Sequence, residues 1–263
     1  MIYSHQQRAI DYITEKFKSD QQVKALLLSG SISHGFNDEK SDIDLNIIVT
    51  NDLYEQKKNT QALTFWESAS DYYEGGYFDG KFIPLEYLDI VARQGNEPTK
   101  FALKDVKILF DNTGQVADYI NKIQIYDEER IQSNSIRFLS QLEGWYWYCK
   151  EAYKKQNEYL LNVSISKLIL YSGRLILLDN RVFFPYHKWF IKVLENVSQK
   201  PPELLNIIPR LLNNKSKEDI DILYKVIKDY KDWSNGIKFS WTSHFVHDIE
   251  TFWMRGEEFI ENI

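Results

Sequence analysis

The chain has 263 residues, of which 43% are hydrophobic and 15% are aromatic. This length and composition predict a folded globular protein of one or two domains and exclude an intrinsically disordered chain. The net charge of −6 gives no basic footprint for nucleic acid over the protein as a whole. The acidic excess lies in residues 1–129, with 22 Asp and Glu against 13 Lys and Arg, whereas residues 130–263 are weakly basic.

Cysteine content and hydropathy indicate the compartment. The one cysteine, Cys149, cannot form an internal disulfide bond, which fits a reducing environment. The sequence shows no leader-like N-terminal pattern and no uninterrupted apolar run of about 18 residues, the length that a membrane helix needs. We therefore expect a soluble, cytoplasmic protein without a membrane partner; its oligomeric state is not predicted.

Helix and strand patterns alternate in the first half of the chain, as they do in a small domain with a sheet and flanking helices. Gly75-Gly76 and Asp79-Gly80 are interpreted as turns. Pro84 lies inside one predicted strand and indicates an edge strand or a bulge. The predicted elements are a helix over 4–18, strands over 25–29 and 43–49, a helix over 52–70, and strands over 81–88 and 106–110.

The second half of the chain is predicted to be almost entirely helical. Residues 160–178 are apolar nearly all round, which is typical of a central buried helix. A boundary at the acidic run 127–129 predicts an α+β protein, with a mixed sheet and helices in residues 1–126 and an all-α bundle in residues 127–263. The predicted helices cover 130–155, 160–178 and 243–262, and others begin near Pro185, Pro202 and Ser216.

A Gly-Ser pair and two carboxylates stand out in the N-terminal half. Gly30-Ser31 follows an apolar strand; glycine allows a tight turn, and the next residue offers N–H and hydroxyl donors to a phosphate. Asp42 and Asp44 begin the following strand and share a face with Asn46, because alternate residues of a strand point the same way. Two carboxylates about 7 Å apart at their Cα atoms can converge on Mg²⁺, which binds carboxylates and substrate phosphates.

This combination resembles the signature of the DNA polymerase β-like nucleotidyltransferase superfamily, which is Gly-Ser, a short spacer and Asp-hydrophobic-Asp. In this sequence the signature corresponds to Gly30-Ser31 and to Ser41-Asp42-Ile43-Asp44. The resemblance implies that Asp42 and Asp44 are catalytic and hold Mg²⁺, with ATP or another nucleoside triphosphate as co-substrate. The two-domain arrangement is similar to that of the bacterial aminoglycoside and lincosamide nucleotidyltransferases.

The resemblance also implies a third carboxylate from a later strand. Glu86, predicted to lie near the middle of the strand 81–88, is the favoured catalytic and metal-binding candidate, since an acid within a half-apolar strand needs a reason to be there. Asp89 at the end of that strand is an alternative. Glu143 in the helical half is a further alternative, because some antibiotic-modifying relatives take their base from that domain.

Five residues are expected to contact the nucleotide: Gly30, Ser31, His34, Ser41 and Lys188. His34 lies in the loop where relatives carry a polar pair, and Ser41 precedes the first aspartate. Lys188 belongs to the segment 180–189, which resembles one in the helical domains of bacterial small-molecule nucleotidyltransferases. There a lysine at a helix start is placed to reach a phosphate.

The expected function is the Mg²⁺-dependent transfer of a nucleoside monophosphate, AMP from ATP, onto a hydroxyl of a small molecule with release of pyrophosphate. The acceptor implied by the resemblance is an aminoglycoside, a lincosamide or a similar polyol. Two alternatives are nucleotidyl transfer to a protein or RNA and a non-catalytic nucleotide-binding module. Nucleic acid is a disfavoured partner, because the lysines of residues 215–231 alternate with acids.

Overall fold

The protein is described by a computed structural model covering residues 1–256, 258–261 and 263. The chain divides into an N-terminal unit, Met1–Ile125, and a C-terminal unit, Tyr126–Ile263. The first contains a mixed sheet with helices and the second is helical, which confirms the α+β fold class. The boundary predicted from sequence, between residues 126 and 127, lies one residue further along the chain.

Every residue of the N-terminal unit is described. Its elements in chain order are α1 (Ser4–Lys18), β1 (Val23–Ser29), α2 (Gly30–His34), β2 (Ile43–Val49), α3 (Asn51–Asn59), β3 (Thr64–Ser68), β4 (Tyr77–Pro84), α4 (Leu85–Gln94), α5 (Glu97–Lys104), β5 (Lys107–Asp111) and α6 (Val116–Ile123). The strands form one sheet in the order β3-β4-β2-β1-β5. Strands β2 and β4 are parallel, and the other neighbouring pairs are antiparallel.

Each face of the sheet packs against helices. On one face, Ile10 and Ile13 of α1 bury apolar residues of the central strands such as Leu45. On the other face, residues of α4, α5 and α6, including Leu88 and Ile120, pack against the sheet. Along β2 the apolar Ile43, Leu45 and Ile47 therefore point toward α1, and the residues between them point to the opposite face.

The predicted helix over 52–70 is wrong in its second half. Helix α3 ends at Asn59, and residues Thr64–Ser68 form strand β3. The exposure of these residues alternates, with Phe65 packed in the core and Trp66 outside it. Antiparallel pairing with β4 stabilises this strand. The spacing of Leu63 and Trp66 would also fit a helix, but this non-local pairing decides the structure.

The predicted strand over 81–88 begins earlier and ends earlier than expected. Strand β4 runs from Tyr77 to Pro84, and Pro84 is the N-cap of α4. Proline suits a helix start because its φ is already helical and it needs no N–H partner there. Glu86 and Asp89 consequently lie on a helix, and Asp79-Gly80 lies within a strand.

The C-terminal unit is helical. Its elements are a 3-10 turn at Glu128–Arg130, α7 (Ile131–Lys155), α8 (Glu158–Asp179), α9 (Tyr186–Asn196), α10 (Leu204–Asn214), α11 (Lys217–Tyr230), α12 (Trp241–Ile249) and a 3-10 turn at Phe252–Arg255. Helix α8 is long and apolar enough to cross a membrane by length and composition alone, but most of it is buried inside this unit, as in the core helix of a globular protein. The predicted central buried helix is therefore confirmed.

The last predicted helix, over 243–262, is shorter in the structure. Helix α12 ends at Ile249, and positions 257 and 262 of the prediction lie outside the described residues. The Arg255 guanidinium donates hydrogen bonds to the carbonyl oxygens of His247 (3.0 Å) and Thr251 (3.2 Å). These bonds satisfy carbonyl groups at the helix end, as basic side chains commonly do there.

Arg174 is the one arginine among the fully buried side chains of the described residues, and it lies in α8. Its guanidinium is 4.4 Å from the ring centroid of Phe138 and 4.6 Å from that of Phe184. It also donates a 3.1 Å hydrogen bond to the carbonyl oxygen of Glu261. Cation–π contacts and carbonyl oxygens thus compensate for the burial of this charge.

Candidate active site

The site is built around the contact between Gly30 and Asp44. Strand β1 ends at Ser29, which pairs with Asp44 of β2, and Gly30 then turns the chain into α2 with a φ of +65°. A Cβ on Gly30 would lie 1.7 Å from Oδ2 of Asp44 and 2.3 Å from its Cγ. Glycine is required here for two reasons, because L side chains disfavour this φ and because the Asp44 carboxylate fills the space.

A second carboxylate, Asp79, lies beside Asp44. In the parallel pair of β2 and β4, Asp44 is in register with Asp79, and residues paired in this way project from the same face of a sheet. Neighbouring strands are about 4.8 Å apart, so the two acids start from adjacent positions. Sequence reasoning missed Asp79 because it was interpreted as part of a turn.

The side chains of residues 77–82 alternate between apolar and polar, which is the pattern of a strand. This pattern would have placed Asp79 in a strand and not in a turn. Phe78 and Phe82 point into the core with α1, whereas Tyr77, Asp79 and Lys81 point to the other face. Gly80 between them interrupts the pattern only because it has no side chain. Its missing Cβ would lie 3.1 Å from the carbonyl oxygen of Leu45, so the strands approach closely at this point.

A third acid, Asp42, is related to Asp44 and Asp79 through Tyr77. Interaction of the Tyr77 hydroxyl with the Asp42 carboxylate, together with the negative charges of Asp44 and Asp79, raises the pKa of Tyr77. Asp42 therefore lies on the same side of the sheet as Asp44 and Asp79. Burial, with a further contribution from Asp42, raises the pKa of neighbouring Tyr73 to about 12. Both phenols therefore remain protonated donors at neutral pH.

Two buried polar atoms lie on the elements that form the site. Among the described residues, Oγ of Ser31 and Oδ1 of Asn46 have no hydrogen-bond partner. Ser31 follows Gly30 in α2, and Asn46 follows Asp44 by two residues on the same face of β2. Buried polar atoms are usually satisfied, so these two are available to a ligand that the structure does not contain.

Lys81 adds a positive charge to this face of the sheet. It is paired with Asn46 and lies two residues beyond Asp79 in β4. Its ammonium group is 5.8 Å from the ring centroid of Tyr87. Burial of this group lowers the pKa of Lys81, and the negative charge of Asp44 opposes the shift.

The donor set suits Mg²⁺. Carboxylates and an amide oxygen are the hard ligands that this ion prefers, and proteins usually bind it through one or two carboxylates with substrate phosphates and water as further ligands. No three His, Cys, Asp or Glu side chains form a ready-made metal cluster in the part of the chain that the structure describes. Asp42 and Asp44 fit an ion that substrate phosphates help to hold.

Glu86 does not lie with this group. Strands β2 and β4 are paired from Ile43 with Phe78 to Val49 with Pro84, and Glu86 follows Pro84 in the first turn of α4. The pair of Val49 and Pro84 is five residues from the pair of Asp44 and Asp79, a distance of about 16 Å along the strands. Asp79, and not Glu86, thus lies beside Asp44, because the strand begins and ends four residues earlier than its predicted bounds.

The two alternative acids have other partners. Asp89 accepts hydrogen bonds from Arg93 one turn later in α4, at 2.9 and 3.0 Å. Glu143 of α7 accepts from the hydroxyl of Tyr224 at 2.7 Å and from the ammonium group of Lys228 at 2.6 Å. Both oxygens of Glu143 are therefore held within the C-terminal unit.

His34 and Ser41 have partners within the N-terminal unit. Nδ1 of His34 is 2.8 Å from Oδ2 of Asp105, and its side chain is only 3% exposed. The ring also packs against Phe101, with the centroids 4.6 Å apart. Ser41 hydrogen-bonds to the backbone and side chain of Asp38, which fixes the loop that leads into Asp42.

Lys188 lies in the first turn of α9, in the C-terminal unit. Its side chain is exposed, and its ammonium group is 5.1 Å from the ring centroid of Trp189. The predicted position at a helix start is thus confirmed, while its contact with a nucleotide stays a prediction.

Part of the chain is similar to a known protein family. Residues 10–133, just under half of the chain, match the family model described as a nucleotidyltransferase domain. The N-terminal half of this chain is therefore similar to nucleotidyltransferase domains. No curated protein matches the chain.

Solved structures also match this chain, among them a nucleotidyltransferase-like protein from Exiguobacterium sibiricum 255-15. The two are 11% identical, and the TM-score is 0.47. The comparison covers 95% of this chain and 80% of the other.

Proposed function

We propose that this protein transfers a nucleoside monophosphate from a nucleoside triphosphate onto a hydroxyl group of a small molecule and releases pyrophosphate. One observation carries the proposal. The carboxylate of Asp44 lies against the backbone of Gly30 on one side and beside Asp79 on the other. This arrangement places acids that suit a divalent ion next to a backbone turn that suits a phosphate.

The proposed reaction is a displacement at the α-phosphorus of the nucleotide. The acceptor hydroxyl oxygen bonds to this phosphorus, and the bond from phosphorus to the oxygen that bridges to the β-phosphate breaks. Pyrophosphate leaves with the bonding electrons, and the hydroxyl proton passes to a carboxylate. We assign that base to Asp79, which lies on the side of Asp44 away from Gly30.

The other residues position the triphosphate. Asp42 and Asp44 would hold Mg²⁺, which would neutralise negative charge on the phosphates. The buried hydroxyl of Ser31 supplies a donor for a phosphate oxygen, and Lys81 supplies a positive charge on the same face of the sheet. Catalysis of this kind depends chiefly on positioning and electrostatics, so few reacting protein groups are needed.

The finer features of the proposal concern the two substrates. We infer ATP as the donor of AMP and an aminoglycoside or lincosamide antibiotic as the acceptor. The acidic excess of residues 1–129 supports a cationic acceptor, since a cleft lined by one sign of charge attracts ligands of the other sign.

The test is Mg²⁺-dependent ATP binding and pyrophosphate release with a panel of aminoglycosides and lincosamides. Asp44→Asn should reduce both, and release should fall about 100-fold or more, since a loss of about 3 kcal/mol has that effect on a rate. Asp118→Asn is the matched control, because Asp118 is an exposed acid on α6. Full activity in the Asp44 variant would refute the proposed site.

A further inference from the structure

Trp66 is an exposed aromatic residue on the sheet edge next to the candidate active site. It lies in β3, the edge strand that pairs with β4, and 68% of its surface is exposed. The other face of β3 is held by α1. Phe65 packs on Phe17 with the ring centroids 5.1 Å apart, and Glu67 binds Lys16 and the hydroxyl of Tyr12.

The register of the sheet places Trp66 in line with the carboxylates. Trp66 is paired with Asp79 across β3 and β4, and Asp79 is paired with Asp44 across β4 and β2. Directly paired residues share a face, so the indole rises from the same face as both acids. At about 4.8 Å per strand, Trp66 starts one strand from Asp79 and two strands from Asp44.

Tyr77 connects the indole to the acids. The ring centroids of Trp66 and Tyr77 are 6.4 Å apart, and the rings are inclined by 26°, close to parallel. The hydroxyl of Tyr77 interacts with the carboxylate of Asp42. These two rings form a continuous aromatic surface, which we name the aromatic shelf, and it ends at the carboxylate group.

The shelf and the phosphate turn lie on opposite sides of Asp44. Gly30 and Ser31 follow β1, on one side of β2, whereas Asp79 and the shelf belong to β4 and β3, on the other side. A triphosphate held at Gly30 and Ser31 leaves the shelf side open for the second substrate. The displacement would then take place between the two, at the carboxylates.

We propose that the aromatic shelf of Trp66 and Tyr77 is the acceptor subsite, and that the acceptor is a small, positively charged, hydroxyl-bearing molecule. This inference rests on the proposed function and extends it to the place where the acceptor binds. Exposed indole and phenol faces attract cations and pack against the C–H faces of a saturated ring. The paired carboxylates of Asp44 and Asp79 complement a positive charge and repel an anionic acceptor.

The test uses calorimetric binding of kanamycin, a polycationic polyol, and of Mg²⁺-ATP in separate titrations of the full chain. Trp66→Ala should weaken kanamycin binding about 10-fold, and Trp66→Phe should retain most of the affinity because it keeps an aromatic face. The dissociation constant for Mg²⁺-ATP should stay within about twofold. Trp253→Ala is the matched control, since Trp253 has the same exposed fraction of 68% in the C-terminal unit. Sucrose, an uncharged polyol, should not bind.

Each other result overturns the proposal. If Trp66→Ala weakens Mg²⁺-ATP but not kanamycin, the shelf holds the nucleobase. If the wild-type protein sediments as a dimer and the variant as a monomer, the shelf is an interface between copies. If the wild-type protein does not bind kanamycin, or binds it equally without Trp66, the subsite is absent.

Failure of the transfer reaction is distinguishable from failure of the subsite. Kanamycin binding that depends on Trp66 supports the shelf even if no pyrophosphate is released, and the transfer itself is then refuted. Conversely, pyrophosphate release that Asp44→Asn abolishes and Trp66→Ala leaves unchanged keeps the transfer and refutes the shelf.

Discussion

The carboxylate of Asp44 occupies the space that a side chain at position 30 would need, with only 1.7 Å between Oδ2 and the Cβ that Gly30 lacks. This contact couples the turn after β1 to the acid on β2. The glycine therefore has a role beyond a favourable φ, because its missing side chain fixes where the acid can lie.

Gly30→Ala should abolish nucleotidyl transfer, since the new methyl group must displace the Asp44 carboxylate. Gly114→Ala is the matched control, because Gly114 has a similar φ of +69° but nothing within 4 Å of its Cβ position. Both variants should lose about 1–2 kcal/mol of stability from the unfavourable φ, measured by chemical denaturation. Only Gly30→Ala should also lose pyrophosphate release. Equal activity of the two variants would contradict the role of the contact.

The third carboxylate can be assigned by comparing Asp79 with Glu86. Asp79→Asn should reduce pyrophosphate release about 100-fold, an effect typical of the loss of a general base, whereas Glu86→Gln should stay within about twofold of the wild-type rate. The reason is the register, which pairs Asp79 with Asp44 and leaves Glu86 in the first turn of α4. Steady-state kinetics with saturating Mg²⁺-ATP would check both, and a large loss in Glu86→Gln alone would restore the assignment made from sequence.

These residues also show how far sequence could predict the molecule. The Gly-Ser turn and the two aspartates at the start of β2, Asp42 just before it and Asp44 within it, are local patterns, and strands β1 and β2 are where the apolar runs predicted them. The sequence pattern places β4 and Asp79 wrongly, because a proline is compatible both with an edge strand and with a helix start. In the structure Pro84 is the N-cap of α4. Strand β3 was missed because its pairing with β4 involves a non-local contact, so Trp66 beside Asp79 could not be foreseen.

Asp111 should contribute to the pH dependence of stability. Although burial opposes its ionisation, hydrogen bonds from the side chain and backbone of Thr113 and from the N–H groups of Val116 and Gly114 lower the pKa of Asp111. A carboxyl with a lowered folded-state pKa stabilises the fold above its unfolded pKa of about 3.9, and this contribution is lost as the pH falls through the folded-state value.

Asp111→Asn should therefore be less stable at pH 7, by about 1 kcal/mol for weakened hydrogen bonds, and should lose less stability than the wild type between about pH 4 and pH 2. Urea denaturation at a series of pH values measures this difference. Asp118→Asn, at an exposed acid of α6, should decline as the wild type does. Parallel pH profiles for the wild type and Asp111→Asn would refute the explanation.

An ion pair of Arg137 and Asp248 connects α7 with α12 in the C-terminal unit. Asp248 is fully buried, and its Oδ1 accepts a 2.9 Å hydrogen bond from Nε of Arg137, whose side chain is 20% exposed. Asp248→Ala should cost about 3–5 kcal/mol, because it leaves the arginine partly buried without its carboxylate. Replacing both residues, with Arg137→Met and Asp248→Leu, should recover much of this loss.

Glu250→Ala, at an exposed acid just after α12, is the control and should change the free energy of unfolding by less than about 0.5 kcal/mol. A double variant no more stable than Asp248→Ala would show that the loss comes from packing and not from an unpaired charge.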